Sequence, residues 1–92
     1  MRSINFSNNY IDSSGASALA RLLSKSDNSV QSLYLRKCNI GEDGAKAFAR
    51  SLHSGCKNLV HLDLSLNGID VQGLQALETA IAAHKTLEYV RI

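Results

Sequence analysis

The chain has 92 residues, of which 45% are hydrophobic and 20% are charged, and its formal net charge is +2. This is ordinary globular usage, which argues against an intrinsically disordered chain. The ten Lys and Arg residues form no broad basic stripe, so we expect neither a nucleic-acid partner nor a membrane partner.

The start of the sequence carries no sign of a targeting segment. Its first ten residues lack the apolar stretch of a signal peptide. No apolar run approaches the roughly 18 residues that a membrane-spanning helix needs. We therefore expect the mature chain to begin near Met1 and to remain in the cytoplasm.

Three segments of the chain superimpose on one another at a step of 29 residues, and a fourth begins before the chain ends. The aligned positions are Ile4, Phe6, Asn9, Ile11, Gly15, Leu19 and Leu23, then Leu33, Leu35, Cys38, Ile40, Gly44, Phe48 and Leu52, then Leu62, Leu64, Asn67, Ile69, Gly73, Leu77 and Ile81. The fourth segment places Leu87, Val90 and Ile92 one residue early. A fixed period of this length predicts a stacked solenoid in which no unit has a core of its own.

The repeat divides the chain into units that together form one predicted domain, 1–92. We take them as 1–29, 30–58, 59–86 and a partial unit 87–92. In chain order, each full unit opens with a strand, because apolar and polar residues alternate there. The apolar members are Ile4 and Phe6, Leu33 and Leu35, and Leu62 and Leu64.

An amphipathic helix follows each of the three strands. Apolar residues recur there at i, i+3, i+4 and i+7, as at Ala45, Phe48, Ala49 and Leu52. The spacing predicts helices over 13–24, 42–54 and 71–84, with Asp12 and Asp70 at N-cap positions. In units this short, equivalent elements become neighbours only if the backbone coils. Each turn of the coil then places its strand parallel to the preceding strand and its helix beside the preceding helix.

Two kinds of residue recur at fixed places and have predicted structural roles. Gly15, Gly44 and Gly73 fall in the first helical turn, where the missing side chain permits close packing, and we expect Gly44 to be the least tolerant of replacement. Asn9, Cys38 and Asn67 end the strands. A buried Asn there is expected to join its own loop to the next one, and Cys to do so more weakly.

With these features the sequence resembles the ribonuclease-inhibitor type of leucine-rich repeat. The resemblance rests on the segments 33–49 and 62–77, which carry the Asn or Cys that closes the strand and the Gly-Ala-x-x-Leu-Ala type of helix start. It implies a short right-handed α/β horseshoe with a parallel sheet on the concave side and helices on the convex side. The family includes ribonuclease inhibitors, sensing domains of cytosolic immune receptors, a Ran GTPase-activating protein and bacterial effectors, which share protein binding.

The resemblance implies a protein-interaction module that uses the strand residues pointing away from the core. These are Asn5, Ser7, Tyr34, Arg36, His61, Asp63, Ser65, Tyr89 and Arg91. Tyr and Arg are frequent among residues that dominate binding energy, so Tyr34, Arg36, Tyr89 and Arg91 are the predicted centre. The alternative is an ordinary solvated sheet face. Leu66 is unusual because it is apolar, whereas the equivalent positions of the first two units hold the polar residues Asn8 and Lys37.

Catalytic and metal-binding interpretations are disfavoured. His53 and His84 lie late in helices, Cys56 lies beyond one and His61 lies in a strand, so we predict no catalytic triad, no metal site and no cofactor. Cys38 and Cys56 occupy different places in the repeat, and we expect two reduced thiols. This agrees with a cytoplasmic protein, or with one delivered to a host cytosol if it is a bacterial effector.

The two ends of the solenoid leave apolar residues uncovered. A longer horseshoe, self-association or a partner's strand would each cover them. Two copies joined through the last strand, 87–92, close about a two-fold axis, whereas first-to-last pairing grows a filament, and we favour the dimer. Glu78 replaces Ala20 and Ala49 in the last helix and is a predicted partial cap. A GTPase-activating role through Arg36 or Arg91 is a further alternative.

Overall fold

The computed structural model describes residues 2–25 and 29–92. Strands and helices alternate along this part of the chain. They are β1 (Arg2–Asn5), α1 (Asp12–Leu23), β2 (Val30–Tyr34), α2 (Gly41–Ser54), β3 (His61–Asp63), α3 (Val71–Ala83) and β4 (Tyr89–Arg91). The predicted α/β solenoid is confirmed, and each observed helix lies within one residue of its predicted bounds.

The strands form one parallel sheet in the order β1-β2-β3-β4. Ser32 pairs with Ser3 on one side and with His61 on the other, which keeps the step of 29 residues. His61 then pairs with Tyr89, so the last step shortens to 28. The partial unit therefore begins one residue early in the strand pairing as well as in the sequence.

The core is a single layer between the sheet and the helices, and every unit contributes to it. Phe48, Leu33, Leu35, Ile40, Leu64 and Leu77 are its largest fully buried side chains. Most of them belong to the middle unit, because among the described units it alone lies between two full units. Burying each such side chain stabilises the fold by about 1.5–3 kcal/mol.

The first unit is only partly covered, as expected for a solenoid end. Phe6 occupies the position of buried Leu35 and Leu64, yet it is 43% exposed because β1 is an edge strand of the sheet that the described residues form. Leu22 is 59% exposed, whereas its counterpart Ser51 is buried against α1 and donates a hydrogen bond to the carbonyl of residue 20 at 2.8 Å. Leu22 is therefore an uncovered apolar side chain on the side of α1 that faces away from α2.

The last helix has a different outer side. Glu78 is exposed there, while Ala20 and Ala49 at the same repeat position are buried. Leu74 stands where Ala16 and Ala45 stand in the earlier helices. A carboxylate and a large side chain at these places do not suit close packing against a further helix.

Asp12 and Asp70 hold the starts of their helices. Each accepts a hydrogen bond at 3.0 Å from a backbone N–H three residues on, that of Gly15 or of Gly73. The Gly73 N–H is the main cause that lowers the pKa of Asp70 from its ordinary value. This bond favours the charged carboxylate at a helix N-terminus.

The recurring glycines allow both a local and a neighbouring contact. A Cβ at Gly44 would collide with Cγ2 of Ile40 in its own unit and lie 3.0 Å from Cβ of Ala16 on α1. At Gly73 the corresponding distances are 2.7 Å to Ile69 and 3.1 Å to Ala45. The glycine therefore makes room for the preceding isoleucine as well as for the adjacent helix.

We expect Gly44→Ala to lower the free energy of unfolding by about 1–3 kcal/mol, because Ile40 and α1 must move apart to admit the new methyl group. The gain in helix propensity, about 1 kcal/mol, offsets part of this loss. Urea denaturation followed by circular dichroism measures this change in the free energy of unfolding. Gly73→Ala is the matched control and should cost less, since α3 has a free outer side. Equal stability of wild type and Gly44→Ala would contradict this packing role.

Candidate functional site

The outward-facing strand residues line up in three rows across the concave face. The first row is Ser3, Ser32, His61 and Tyr89, the second is Asn5, Tyr34, Asp63 and Arg91, and the third is Ser7, Arg36 and Ser65. All nine residues predicted for partner binding lie in these rows, and none of them is buried. The parallel register brings them together, because equivalent residues of successive units pair directly.

The first row contains the closest aromatic contact of the described residues. The rings of His61 and Tyr89 stack with centroids 4.5 Å apart and an interplanar angle of 7°. Nδ1 of His61 lies 3.3 Å from the Ser32 hydroxyl. The shortened step of 28 residues produces this stack, since a step of 29 would have placed Tyr89 beside Val60.

Hydrogen bonds hold some of the polar side chains of the other two rows, those of Ser7, Asp63 and Ser65. One carboxylate oxygen of Asp63 accepts from the Ser65 N–H at 3.0 Å and from the Ser65 hydroxyl at 2.6 Å. The Ser7 hydroxyl accepts from the Arg36 N–H at 3.0 Å. Among the described residues, no hydrogen bond or ion pair engages the guanidinium groups of Arg36 and Arg91, so both remain available to a ligand.

The rows border a shallow depression of about 540 Å³ beside β3 and β4, the last two strands of the sheet. Its lining includes Tyr34, His61, Asp63, Glu88, Tyr89 and Arg91. Sequence reasoning missed Glu88, which lies before β4, and Ser32, which supports His61. The repeat could have identified Ser32, because it stands 29 residues before His61.

Asn67 joins two units where the strands end. Its amide nitrogen donates to the carbonyls of Leu35, Leu64 and Ser65 at 2.7–3.1 Å. Its amide oxygen accepts from the N–H groups of Cys38 and Ile40 at 2.7 and 3.3 Å. The partners in the other unit all belong to the preceding loop, and not to the next one as we expected.

The direction follows from the sheet. The Leu35 N–H donates to the Asp63 carbonyl, so the Leu35 carbonyl also points toward the third unit and needs a donor beyond the end of the ladder. Cys38 repeats the arrangement with a weaker donor, its thiol lying 3.2 Å from the Phe6 carbonyl. Asn9 has no preceding unit and is exposed, so the expectation that it is buried was wrong.

Comparison with known protein families agrees with this architecture. A family profile described as Leucine Rich repeat matches residues 1–20, 26–49 and 55–77. The chain belongs to the leucine-rich repeat family. The match is to the ribonuclease-inhibitor type, which confirms the resemblance seen in the sequence. No curated protein matches the chain at a significant level. Leucine-rich repeats generally act as protein-interaction modules, and no catalytic domain is found in the chain.

Leu66 is the most unusual residue on the rim of this leucine-rich repeat protein. It is 61% exposed, and its φ of 58° places it in the left-handed region. Asn8 and Lys37 adopt the same conformation at the equivalent positions, with φ of 68° and 56°. The repeat therefore imposes this backbone, and a leucine there accepts a strain of about 1–2 kcal/mol.

The coil also brings His84 to Cys56, but through the backbone and not through sulfur. Nε2 of His84 lies 2.9 Å from the Cys56 carbonyl, and Nδ1 accepts from the Leu87 N–H at 3.2 Å. The thiol instead lies 3.2 Å from the Ser51 hydroxyl. Burial raises the pKa of Cys56, so the thiol is protonated at neutral pH and is a poor nucleophile.

The remaining candidate chemistry is absent from the part of the chain that the structure describes. Over residues 2–25 and 29–92, His, Cys, Asp and Glu side chains form no group of three or more that could hold a metal ion. Cys38 and Cys56 are both free and buried. Within the same residues, no helix has the length and apolar character that crossing a membrane requires.

Proposed function

We propose that this leucine-rich repeat protein binds a partner protein in the depression on its concave face. The observation that carries the proposal is the His61–Tyr89 stack, which lies beside the unpaired guanidinium group of Arg91. Tyr side chains lose little conformational entropy when they bind, and Tyr and Arg residues often dominate interface energy.

The charges of the depression favour a partner segment of mixed character. Asp63 and Glu88 supply carboxylates, while Arg91 supplies a cation on the same surface. Tyr34 and Tyr89 add apolar area with polar tips. An extended peptide with one basic and one acidic group near an apolar residue fits this arrangement.

Selection with a phage-displayed peptide library tests the proposal. Clones enriched on the wild-type protein should lose at least about tenfold in affinity toward Tyr34→Ala and toward Arg91→Ala, since each removes a candidate contact. Arg50→Ala is the matched control, because Arg50 is exposed on α2 on the convex side. Clones that bind these three variants alike, or no enrichment over an empty matrix, would rule out the concave depression.

A second candidate function is self-association, and the exposure of β4 favours it. All three residues of this strand are exposed, whereas β2 and β3 are flanked on both sides. An uncovered strand edge is a template for pairing with another chain.

The GTPase-activating alternative stays an untested prediction. The two free thiols support a cytoplasmic or host-cytosolic setting.

A further inference from the structure

The outer edge of β4 carries unpaired backbone groups. Tyr89 donates its N–H to the Val60 carbonyl at 3.0 Å, and the Arg91 carbonyl accepts from the Leu64 N–H at 2.7 Å. Both residues therefore turn their backbone groups toward β3. Because these groups alternate along a strand, the N–H and carbonyl of Val90 point outward, away from the sheet.

The side chains beside this edge are complementary to themselves. The Tyr89 ring has one face covered by His61, and its other face is turned toward the open edge. Arg91 lies two residues on, on the same side of the strand, and no described residue pairs with its guanidinium. An aromatic face and a free cation thus flank the outward groups of Val90.

We propose that the occupant of this edge is a second copy of the chain, paired antiparallel through β4 about a two-fold axis at Val90. The inference rests on the second candidate function and specifies its register. Val90 of each copy would exchange both backbone hydrogen bonds with its equivalent. Tyr89 of one copy would then lie directly opposite Arg91 of the other, in the closely spaced type of cross-strand pair.

This register forms the same cation–π contact twice. Each Arg91 guanidinium stacks on the outward face of a Tyr89 ring whose inner face already contacts His61. Val90, which is partly exposed on the inner side, meets its equivalent across the axis. The two sheets join into one of eight strands, and no outer edge of β4 remains.

The structure disfavours the alternative in which copies stack head to tail. In that arrangement Gly15 would meet Leu74, whereas in the internal stacks the small residues Ala16 and Ala45 face Gly44 and Gly73. Glu78 would also face the outer side of α1, where Leu22 is exposed. A closed dimer that pairs strands leaves the solvated side of α3 out of the interface.

Sedimentation equilibrium of the 92-residue chain provides the first test. We expect a concentration-dependent dimer whose dissociation constant rises at least about tenfold in Arg91→Ala and in Val90→Pro, which lacks the outward N–H. Arg36→Ala, an exposed arginine two strands away, is the matched control and should dimerise like wild type. Circular dichroism of each variant checks that it is folded.

Cysteine cross-linking then tests the register. An oxidised mixture of Tyr89→Cys and Arg91→Cys should form disulfide-linked dimers faster than either variant alone, since only unlike positions face each other. A wild type that stays monomeric at millimolar concentration, a dimer unaffected by Val90→Pro, or equal cross-linking in all samples would overturn the proposal. Peptide binding that depends on Tyr34 would persist in each case, so failure here is distinguishable from failure of the concave-face proposal.

Discussion

Asn67→Ala should lower the free energy of unfolding by about 3–5 kcal/mol. The substitution removes five hydrogen bonds and leaves the buried N–H of Cys38 and the carbonyl of Leu35 without their side-chain partner. A buried polar group left unsatisfied costs about 1–3 kcal/mol. The loss is a large share of the roughly 5–14 kcal/mol that stabilises a domain of this size.

Urea denaturation measures the effect, and the chain provides two controls. Asn9→Ala changes the same residue type at the equivalent but exposed position, so it should cost no more than about 0.5 kcal/mol. Asn67→Cys installs the residue that the middle unit uses, and it should fall between wild type and Asn67→Ala. A cost for Asn67→Ala as small as that for Asn9→Ala would show that water replaces the side chain and that the ladder is not structural.

Gly55→Ala is the second substitution with a large expected effect, about 3 kcal/mol or more. A Cβ at Gly55 would collide with the Ser24 carbonyl oxygen and lie 2.8 and 2.9 Å from the carbonyl carbon and Cα of Ser24. These are backbone atoms at the end of α1, so α1 and α2 must separate. At Gly44 the colliding atoms belong to side chains, which move more easily than backbone, so we expect Gly55 to tolerate alanine less well than Gly44. That Gly44 is the least tolerant of the three recurring glycines stays a prediction.

The matched control separates contact from backbone strain. Gly55 has an extended φ of −166°, so alanine adopts its backbone without strain and only the collision acts. Gly68 has a φ of +64° with nothing within 4 Å, so Gly68→Ala acts only through the left-handed backbone and should cost about 1 kcal/mol. If Gly68→Ala proves the more damaging of the two in thermal unfolding, the packing argument for Gly55 is wrong.

Periodicity predicted most of the architecture because each unit repeats the same local instructions. The alternation at Leu33 and Leu35 and the helical spacing through Phe48 need only the chemistry of neighbouring residues. Asn9 shows the limit of this reasoning. It matches Asn67 in sequence, but burial depends on a neighbouring unit, and the first unit has none on that side.

Less of the candidate site than of the fold could be predicted from the sequence. All nine predicted residues lie on the concave face because side chains alternate along a strand. The sequence could not indicate that Arg91 would remain unpaired beside Asp63, its register partner on β3, because that depends on how the two side chains are oriented in the sheet. Glu88 lies outside the strand pattern and entered the depression only through the course of the backbone before β4.

The sequence by itself determined the repeat, the order of strands and helices and the face on which each strand residue lies, because these follow from spacing along one chain. Only the tertiary structure decided which groups meet between units. The direction of the Asn67 bonds, the collision point at Gly55 and the stack of Tyr89 on His61 each depend on how one coil of backbone is placed on the preceding one. The repeat spacing gives the register of the strands, but it does not give the distances and angles between side chains of neighbouring units, and those decide which groups meet.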